Sequence, residues 1–186
     1  MPLVWVTGSP GVGKSTVCSL LKSRGEFAVD ADWDGFNHWV HRATGQVNPD
    51  PPYPVPDGWL DQFAWKISRP EVQRLATQAR DSTAFLCGSV ENDADVWDLF
   101  DLVVCLAADN DTIRDRLRTR TTNSFGEHPE ELAAALDWNR STELIYRRLG
   151  ATIIDCTRPP SEVTDAVLAT ATAVNARHGS VSVVAR

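Results

Sequence analysis

"TGSPGVGKST", residues 7–16, follows the apolar run "LVWV" (3–6) and decides how the rest of the chain is read. Gly8, Gly13, Lys14 and Ser15 satisfy G-x-x-x-x-G-K-[ST], a pattern with a physical reason behind each position. Glycines let the backbone turn tightly enough for successive N–H groups to point inward at phosphate oxygens. A helix beginning near Ser15 aims its positive end at the same place. Lys14 reaches the terminal phosphates, and the Ser15 hydroxyl offers a site on Mg²⁺. Pro10, Gly11, Val12 and Thr16 complete the loop that would wrap a nucleotide. A chance match in a glycine-rich turn would not need a strand before it and a helix after it, and here both are in place. The stretch is a cradle for phosphate.

Outward from the cradle, short apolar runs alternate with helical patterns, the arrangement of an α/β protein with a parallel sheet. The runs are "LVWVT" (3–7), "FAVDA" (27–31), "TAFLCG" (83–88), "DLVVCLA" (101–107) and "ATIID" (151–155). They are nearly continuous in apolar residues, as strands covered by helices on both faces are. Between them the period changes. Val17, Leu20, Leu21 and Arg24 follow the cradle at helical spacing, with Gly25 as a stop. "HPEE" (128–131) opens a helix with Pro129 first and two acids at its positive end; Ala135, Trp138, Thr142, Ile145 and Leu149 continue down one side. Val163, Ala166, Val167, Thr170, Ala171 and Val174 mark one face of a last helix. Two segments fall outside this pattern. "TGQVNPDPPYPVPDG" (44–58) reads as an irregular excursion, and "TRTTNSFGEH" (119–128) as a polar loop between helices. "RHGSVSVVAR" (177–186) reads as a frayed tail in which "VSVV" could add an edge strand. The expectation is one domain over residues 1–176.

The length of 186 residues is enough for one domain with a core of its own. A formal net charge of −7 argues against a broad nucleic-acid face, which needs an excess of basic side chains; residues 114–120 supply a local basic patch. Cys18, Cys87, Cys105 and Cys156 are scattered without ligand-like spacing and read as structural thiols. No apolar stretch reaches the length of a membrane span. The first residues lack the basic region and cleavage site of a secretory signal, so a cytoplasmic protein without membrane contacts is expected.

The second strand ends in "VDADWDGF" (29–36). Asp30 and Asp32 are two apart and would point the same way from an extended chain, at the strand end that faces the ligand crevice. Two carboxylates there can hold Mg²⁺ through water or accept a proton from an attacking hydroxyl. The alternative is that one of them, more readily Asp32, caps a helix starting near Trp33. Trp33, Phe36 and either Trp39 or Val40 lie at helical spacing.

With these residues the sequence resembles the adenylate-kinase-like group of phosphate-loop kinases, and within it the shikimate and gluconate kinases. "GSPGVGKST" (8–16), "DAD" (30–32), "RLRTR" (116–120) and the order of elements over about 175 residues carry the resemblance. It implies a P-loop NTPase three-layer sandwich, with a five-stranded parallel sheet in the order 2-3-1-4-5 and helices on both faces. An acceptor-binding insertion (33–82) and a lid (119–128) would complete it. It places Asp30 near the metal with Ser15, and Asp32 near the acceptor hydroxyl. It implies that Arg116 stacks on adenine, that Arg120 grips phosphates from the lid, and that Thr157 to Pro160, with Arg158 and Pro159, closes over the adenine. "TTNSFG" (121–126) is also similar to the TTN-x-[FY]-G lid of a set of small kinase-like ATPases, which suggests that Asn123 and Gly126 shape the lid.

Two departures narrow the reading. The third strand ends in "FLCGSVEN" (85–92) without the Arg that a nucleoside monophosphate kinase uses for its acceptor phosphate. Gly88, Ser89, Glu91 and Asn92 remain as polar groups able to meet an uncharged, hydroxyl-bearing acceptor. Asp101 precedes its apolar run, whereas a Mg²⁺-binding acid follows it, so Asp30 or Glu91 would have to supply a carboxylate. Residues 33–65 are dense in aromatics (Trp33, Phe36, Trp39, Tyr53, Trp59, Phe63, Trp65), which would either wall a planar acceptor or pack on the sheet. His38 and His41 read as surface or packing residues.

The expected function is transfer of the γ-phosphoryl group of ATP to a hydroxyl of a small molecule, such as a nucleoside or related metabolite. Lys14, Asp32 and Arg120 would be catalytic, ATP and Mg²⁺ would be required, and the protein would act as a monomer or homodimer. ATP is preferred to GTP because no Asn-Lys-x-Asp guanine motif occurs. The alternatives are a partner-controlled P-loop ATPase or nucleotide switch, and a nucleoside monophosphate kinase.

Overall fold

The apolar runs become the strands of the main sheet because each is buried from both sides. In the computed structural model, which describes residues 2–52, 56–79 and 82–181, β1 (Leu3–Thr7) is buried at every position. It lies at the centre of the sheet. β6 (Ala84–Cys87) and then β2 (Phe27–Asp30) flank it on one side, with β7 (Leu102–Ala107) and then β8 (Thr152–Asp155) on the other. All four pairings are parallel. Numbered within this sheet alone, the order is 2-3-1-4-5, the order expected of the fold class.

Helices cover both faces. α1 (Lys14–Ser23), α4 (Asn110–Thr119) and α6 (Pro160–Val181) close one face around Val4, Val6, Phe85, Val104 and Leu106. On the other face Leu3, Trp5 and Leu86 pack against α3 (Arg69–Gln78) and the end of α5 (Pro129–Arg148). Trp5 is fully buried there, stacks on Phe100 at 5.0 Å, and donates its indole N–H to the Gly88 carbonyl at 2.9 Å. Asp101 accepts from the Leu3 backbone N–H at 2.8 Å and so ties down the start of β1. All four cysteines are buried and free.

The insertion differs from expectation. The spacing of Trp33, Phe36 and Trp39 predicts a helix, but Ala31–Gly35 form a turn that ends at Gly35 with φ +80°. The chain then runs extended as β3 (Asn37–His41). With β4 (Val47–Asn48) and β5 (Phe63–Ile67) it makes a second, antiparallel sheet in the order β4-β3-β5. The cross-strand partners Trp39–Trp65 and His41–Phe63 stand on one face of it. That two-residue period overrides the accidental helical spacing of three aromatics. The Pro-rich segment 44–58 is not wholly irregular, since it contains β4; its prolines confine that strand to two residues at the edge. α2 (Trp59–Gln62) leads into β5. α6 runs without a break across residue 176, where the tail was expected to begin. Residues 182–184 of the suggested edge strand lie outside the described residues, as does Tyr53. Among the described residues no helix is long and apolar enough to cross a membrane.

Candidate active site

The cradle is shaped by glycines where nothing larger fits. Gly8 has φ +135°, and a Cβ there would sit 2.4 Å from the Leu106 carbonyl oxygen of β7. Gly13, with φ +102°, begins α1, and open space lies where its Cβ would be. That space is the mouth of the loop, beside Ser15 and Thr16, which are both exposed at the first turn of α1. The loop is braced from outside. Buried Ser9 donates to the Thr142 hydroxyl of α5 at 3.1 Å, and a Cβ on Gly11 would press on Leu117 and Ile113 of α4. Val12 is buried, and its carbonyl accepts from Arg116 at 3.1 Å.

Lys14 is folded back over the loop. Its ammonium donates to the Gly8 and Ser9 carbonyls at 2.9 and 3.0 Å. Burial pushes its pKa below the ordinary lysine value; Asp32 opposes this, Arg120 adds to it, and Asp30 opposes it more weakly. A phosphate oxygen would therefore meet a desolvated cation, whose attraction for an anion is stronger than in water. Charges from two separate segments of the chain, Asp30 and Asp32 in one and Arg120 in the other, thus act on this one ammonium group.

The capping contacts that Asp32 was the readier to make are made by Asp30 instead. Asp30 is the cap: buried, it accepts from the backbone N–H groups of Asp32 (3.1 Å) and Trp33 (3.4 Å). Asp32 is exposed, and its Oδ1 accepts from Asn37 Nδ2 at 2.7 Å and from the Trp65 indole at 3.0 Å. Among the described residues Oδ2 has no hydrogen-bond partner. Asp32 is thus a carboxylate with one oxygen clamped and the other available.

Arg116 bridges the cradle to the loop after β8, donating to the Cys156 carbonyl at 2.7 Å as well as to Val12. In that loop Asp155 accepts from the Thr157 backbone and hydroxyl, at 2.9 and 2.7 Å, which holds its pKa below the ordinary carboxylate value. Arg158 is exposed and donates to the Asp155 carbonyl at 3.4 Å; Pro159 precedes α6, its carbonyl accepting from Val163. Arg120, at the end of α4, donates to the Phe125 carbonyl inside the 119–128 loop. The loop is gathered beneath that contact. Asn123 accepts from Phe125 N at 3.0 Å, Phe125 stacks near Trp138, and Gly126 N donates to buried Glu131 at 2.8 Å. Replacing Glu131 with Ala is expected to speed hydrogen exchange at the Gly126 amide, since an orphaned buried donor costs about 1–3 kcal/mol; Gln, which keeps an acceptor oxygen, should restore protection.

Several candidates at the acceptor end have structural duties instead. Trp33 is 68% exposed on the turn, and Phe36 packs into the second core cluster, so neither shares a face with Trp39. Gly88 is a spacer: a Cβ would lie 2.5 Å from that of Ala31. Glu91 accepts from Trp65 N at 3.1 Å and pairs with Arg42 at 2.6 Å. Asn92 accepts from Ile67 N at 2.9 Å and donates to its carbonyl at 3.2 Å. Both complete the outer edge of β5, whose backbone groups would otherwise be unpaired. Ser89 stays close, its carbonyl 3.5 Å from Asn37 Nδ2. His41 packs edge-on against Phe63 at 5.2 Å, a packing role as expected. Asn37 was not foreseen; no short motif signals a contact made across a turn.

Sheet, glycine loop and flanking helices define a P-loop NTPase α/β sandwich. The chain belongs to the AAA domain family, whose model matches residues 4–136. Among solved structures, a gluconokinase from Sinorhizobium meliloti 1021 is 17% identical over 100% of this chain and 98% of its own, with a TM-score of 0.56. A shikimate kinase from Acinetobacter baumannii in complex with shikimate is 14% identical over 93% and 94%, TM-score 0.58. A deoxyadenosine kinase from M. mycoides is 13% identical over 92% and 99%, TM-score 0.52. At such identities the likeness is one of fold, and function must be argued from the site. Comparison with curated proteins gives no match.

Proposed function

We propose that this chain is an ATP-dependent phosphotransferase that moves the γ-phosphoryl group of ATP onto a hydroxyl of a small molecule. The observation that carries this reading is the clamped carboxylate of Asp32, held by Asn37 and Trp65 just beyond the end of β2, with Lys14 seated on the loop carbonyls and Arg120 anchored in the 119–128 loop. Asp32 Oδ2 takes the proton of the acceptor hydroxyl as its oxygen bonds to the γ-phosphorus and the bond to the ADP oxygen breaks. Lys14 and Arg120 balance the charge on the transferring group, so the protein contributes mainly position and electrostatics. Residues 119–128 act as the lid that keeps water out, and 33–82 hold the acceptor.

The oxygen donors fit Mg²⁺ better than a softer metal: Ser15 is exposed in the first turn of α1, and Asp30 and Asp32 supply carboxylates at the end of β2. Among the described residues no group of three or more His, Cys, Asp or Glu side chains could hold a metal alone. The ion would be held by Ser15, the phosphates and water, with Asp30 in the outer shell, and would supply charge neutralisation on the phosphates. Arg116 and the 157–160 loop form the adenine side. Arg116→Ala should weaken ATP binding about tenfold, the equivalent of one charge-assisted hydrogen bond, as read by calorimetry.

ADP release with Mg²⁺ and a mixed pool of hydroxylated metabolites, with Lys14→Ala as the blank, tests the reading. Release that rises with the pool supports a kinase. Steady release indifferent to every acceptor would favour a partner-controlled ATPase.

A further inference from the structure

We infer that the acceptor is a flat-ringed alcohol, seated against the Trp39–Trp65 face of the second sheet with its hydroxyl at Asp32. This rests on the phosphotransferase reading and gives its acceptor a chemical class.

The face is set by strand alternation and register. Asn37 opposes Ile67, Trp39 opposes Trp65, and His41 opposes Phe63, all on the same side. The first row is buried against the main domain, while Trp39 and Trp65 in the second are half-buried and keep surface open. The two indoles lie 5.0 Å apart with their planes at 55°, an open angle rather than a closed stack. Behind Trp39, Trp59 packs edge-on at 5.8 Å, and it stacks on Phe63 at 4.0 Å, so the wall cannot easily collapse.

The wall and the base are joined through one side chain. The Trp65 indole N–H that clamps Asp32 belongs to the ring that forms the wall. A ring lying on that wall and bearing an alcohol has its hydroxyl beside the carboxylate. A polyol without a ring would leave the indole faces uncovered.

Two buried polar atoms adjoin the wall. Asn37 Oδ1 and Trp59 Nε1 are buried without a hydrogen-bond partner among the described residues, in side chains 4% and 7% exposed. Asn37 shares the face of Trp39, and Trp59 packs on Trp39 and Phe63, one offering an acceptor and the other a donor. Buried polar groups are nearly always paired, so both atoms are places for ordered water behind the wall.

The test is binding without turnover. Tryptophan fluorescence is titrated in the presence of Mg²⁺ and a non-hydrolysable ATP analogue. The probes are adenosine and cytidine, 4-hydroxybenzyl alcohol as a ring without a base, and gluconate and glycerol as ringless alcohols. One or more ring compounds should bind and the ringless alcohols should not; the tighter of the two ring types tells a nucleoside from another aromatic alcohol. Trp39→Leu should weaken ring binding at least about fivefold, the low end for loss of one stacking partner, and Trp39→Phe should restore most of it. In turnover, Trp65→Phe keeps a ring but loses the N–H, so kcat should fall with KM little changed. Ringless alcohols binding as well as rings, ring binding indifferent to Trp39→Leu, or no ring compound binding would each overturn the inference. Trp39-dependent ring binding without ADP release would instead sink the phosphotransferase reading and leave the ring site standing.

Discussion

Asp32→Asn is expected to lower acceptor-dependent turnover by roughly 10²–10⁴-fold, the contribution of a positioned general base, while leaving ATP affinity essentially unchanged. The substitution is a narrow one. Asn37 and Trp65 donate to Oδ1 of Asp32, and an asparagine carbonyl in the same place accepts both bonds. Only the oxygen that takes the proton is replaced, by an amide that cannot. Steady-state kinetics with the preferred acceptor, beside calorimetry with ATP, read the two effects separately. Equal loss of turnover and ATP binding would mean that Asp32 serves the metal or the fold instead.

Gly8→Ala should damage the cradle itself. The glycine adopts φ +135°, and the added methyl would meet a backbone oxygen of β7, not a side chain that could swing aside. Positive φ alone costs an alanine about 1–3 kcal/mol, and relief of the clash requires β1 and β7 to part or the loop to move. For a chain of 186 residues each kcal/mol lowers the melting temperature by about 2–4 °C. The expected result is a melting temperature several degrees lower together with loss of detectable ATP binding. An unchanged melting temperature with intact ATP affinity would show that the loop does not hold this shape.

How much of this could be read beforehand depends on how far apart the interacting residues lie. The main sheet was legible because each strand, such as Val4–Val6 or Val103–Leu106, is a continuous apolar run that only two-sided burial explains. The cradle was legible because its function is written in consecutive residues. The second sheet was not. Aromatics at 33, 36 and 39 satisfy a helical period, while the pairing that decides the matter, Trp39 with Trp65, spans 26 residues of Pro-rich chain. The same distance hid the clamp on Asp32, since Asn37 and Trp65 reach it only after β3 and β5 have paired. Glu91 and Asn92 were read as acceptor-binding groups for their polarity alone. The demand they meet, an unpaired edge of β5, exists only in a sheet the local sequence does not announce. Asp30 and Asp32 stand out as a pair in the sequence, but which of them caps the turn is set by side-chain placement that a spacing of two cannot resolve.

The central claim is that the cradle serves transfer to a hydroxyl rather than hydrolysis, and the fate of the γ-phosphoryl group tests it most directly. ATP labelled in that group is turned over with Mg²⁺ in the presence of ring-bearing and ringless alcohols, and the products are separated. The label should appear in an ester of the acceptor, with little in inorganic phosphate, and disappear from the ester in the Asp32→Asn protein. Label found only in inorganic phosphate, whatever alcohol is present, would contradict the assignment and make the chain a hydrolase.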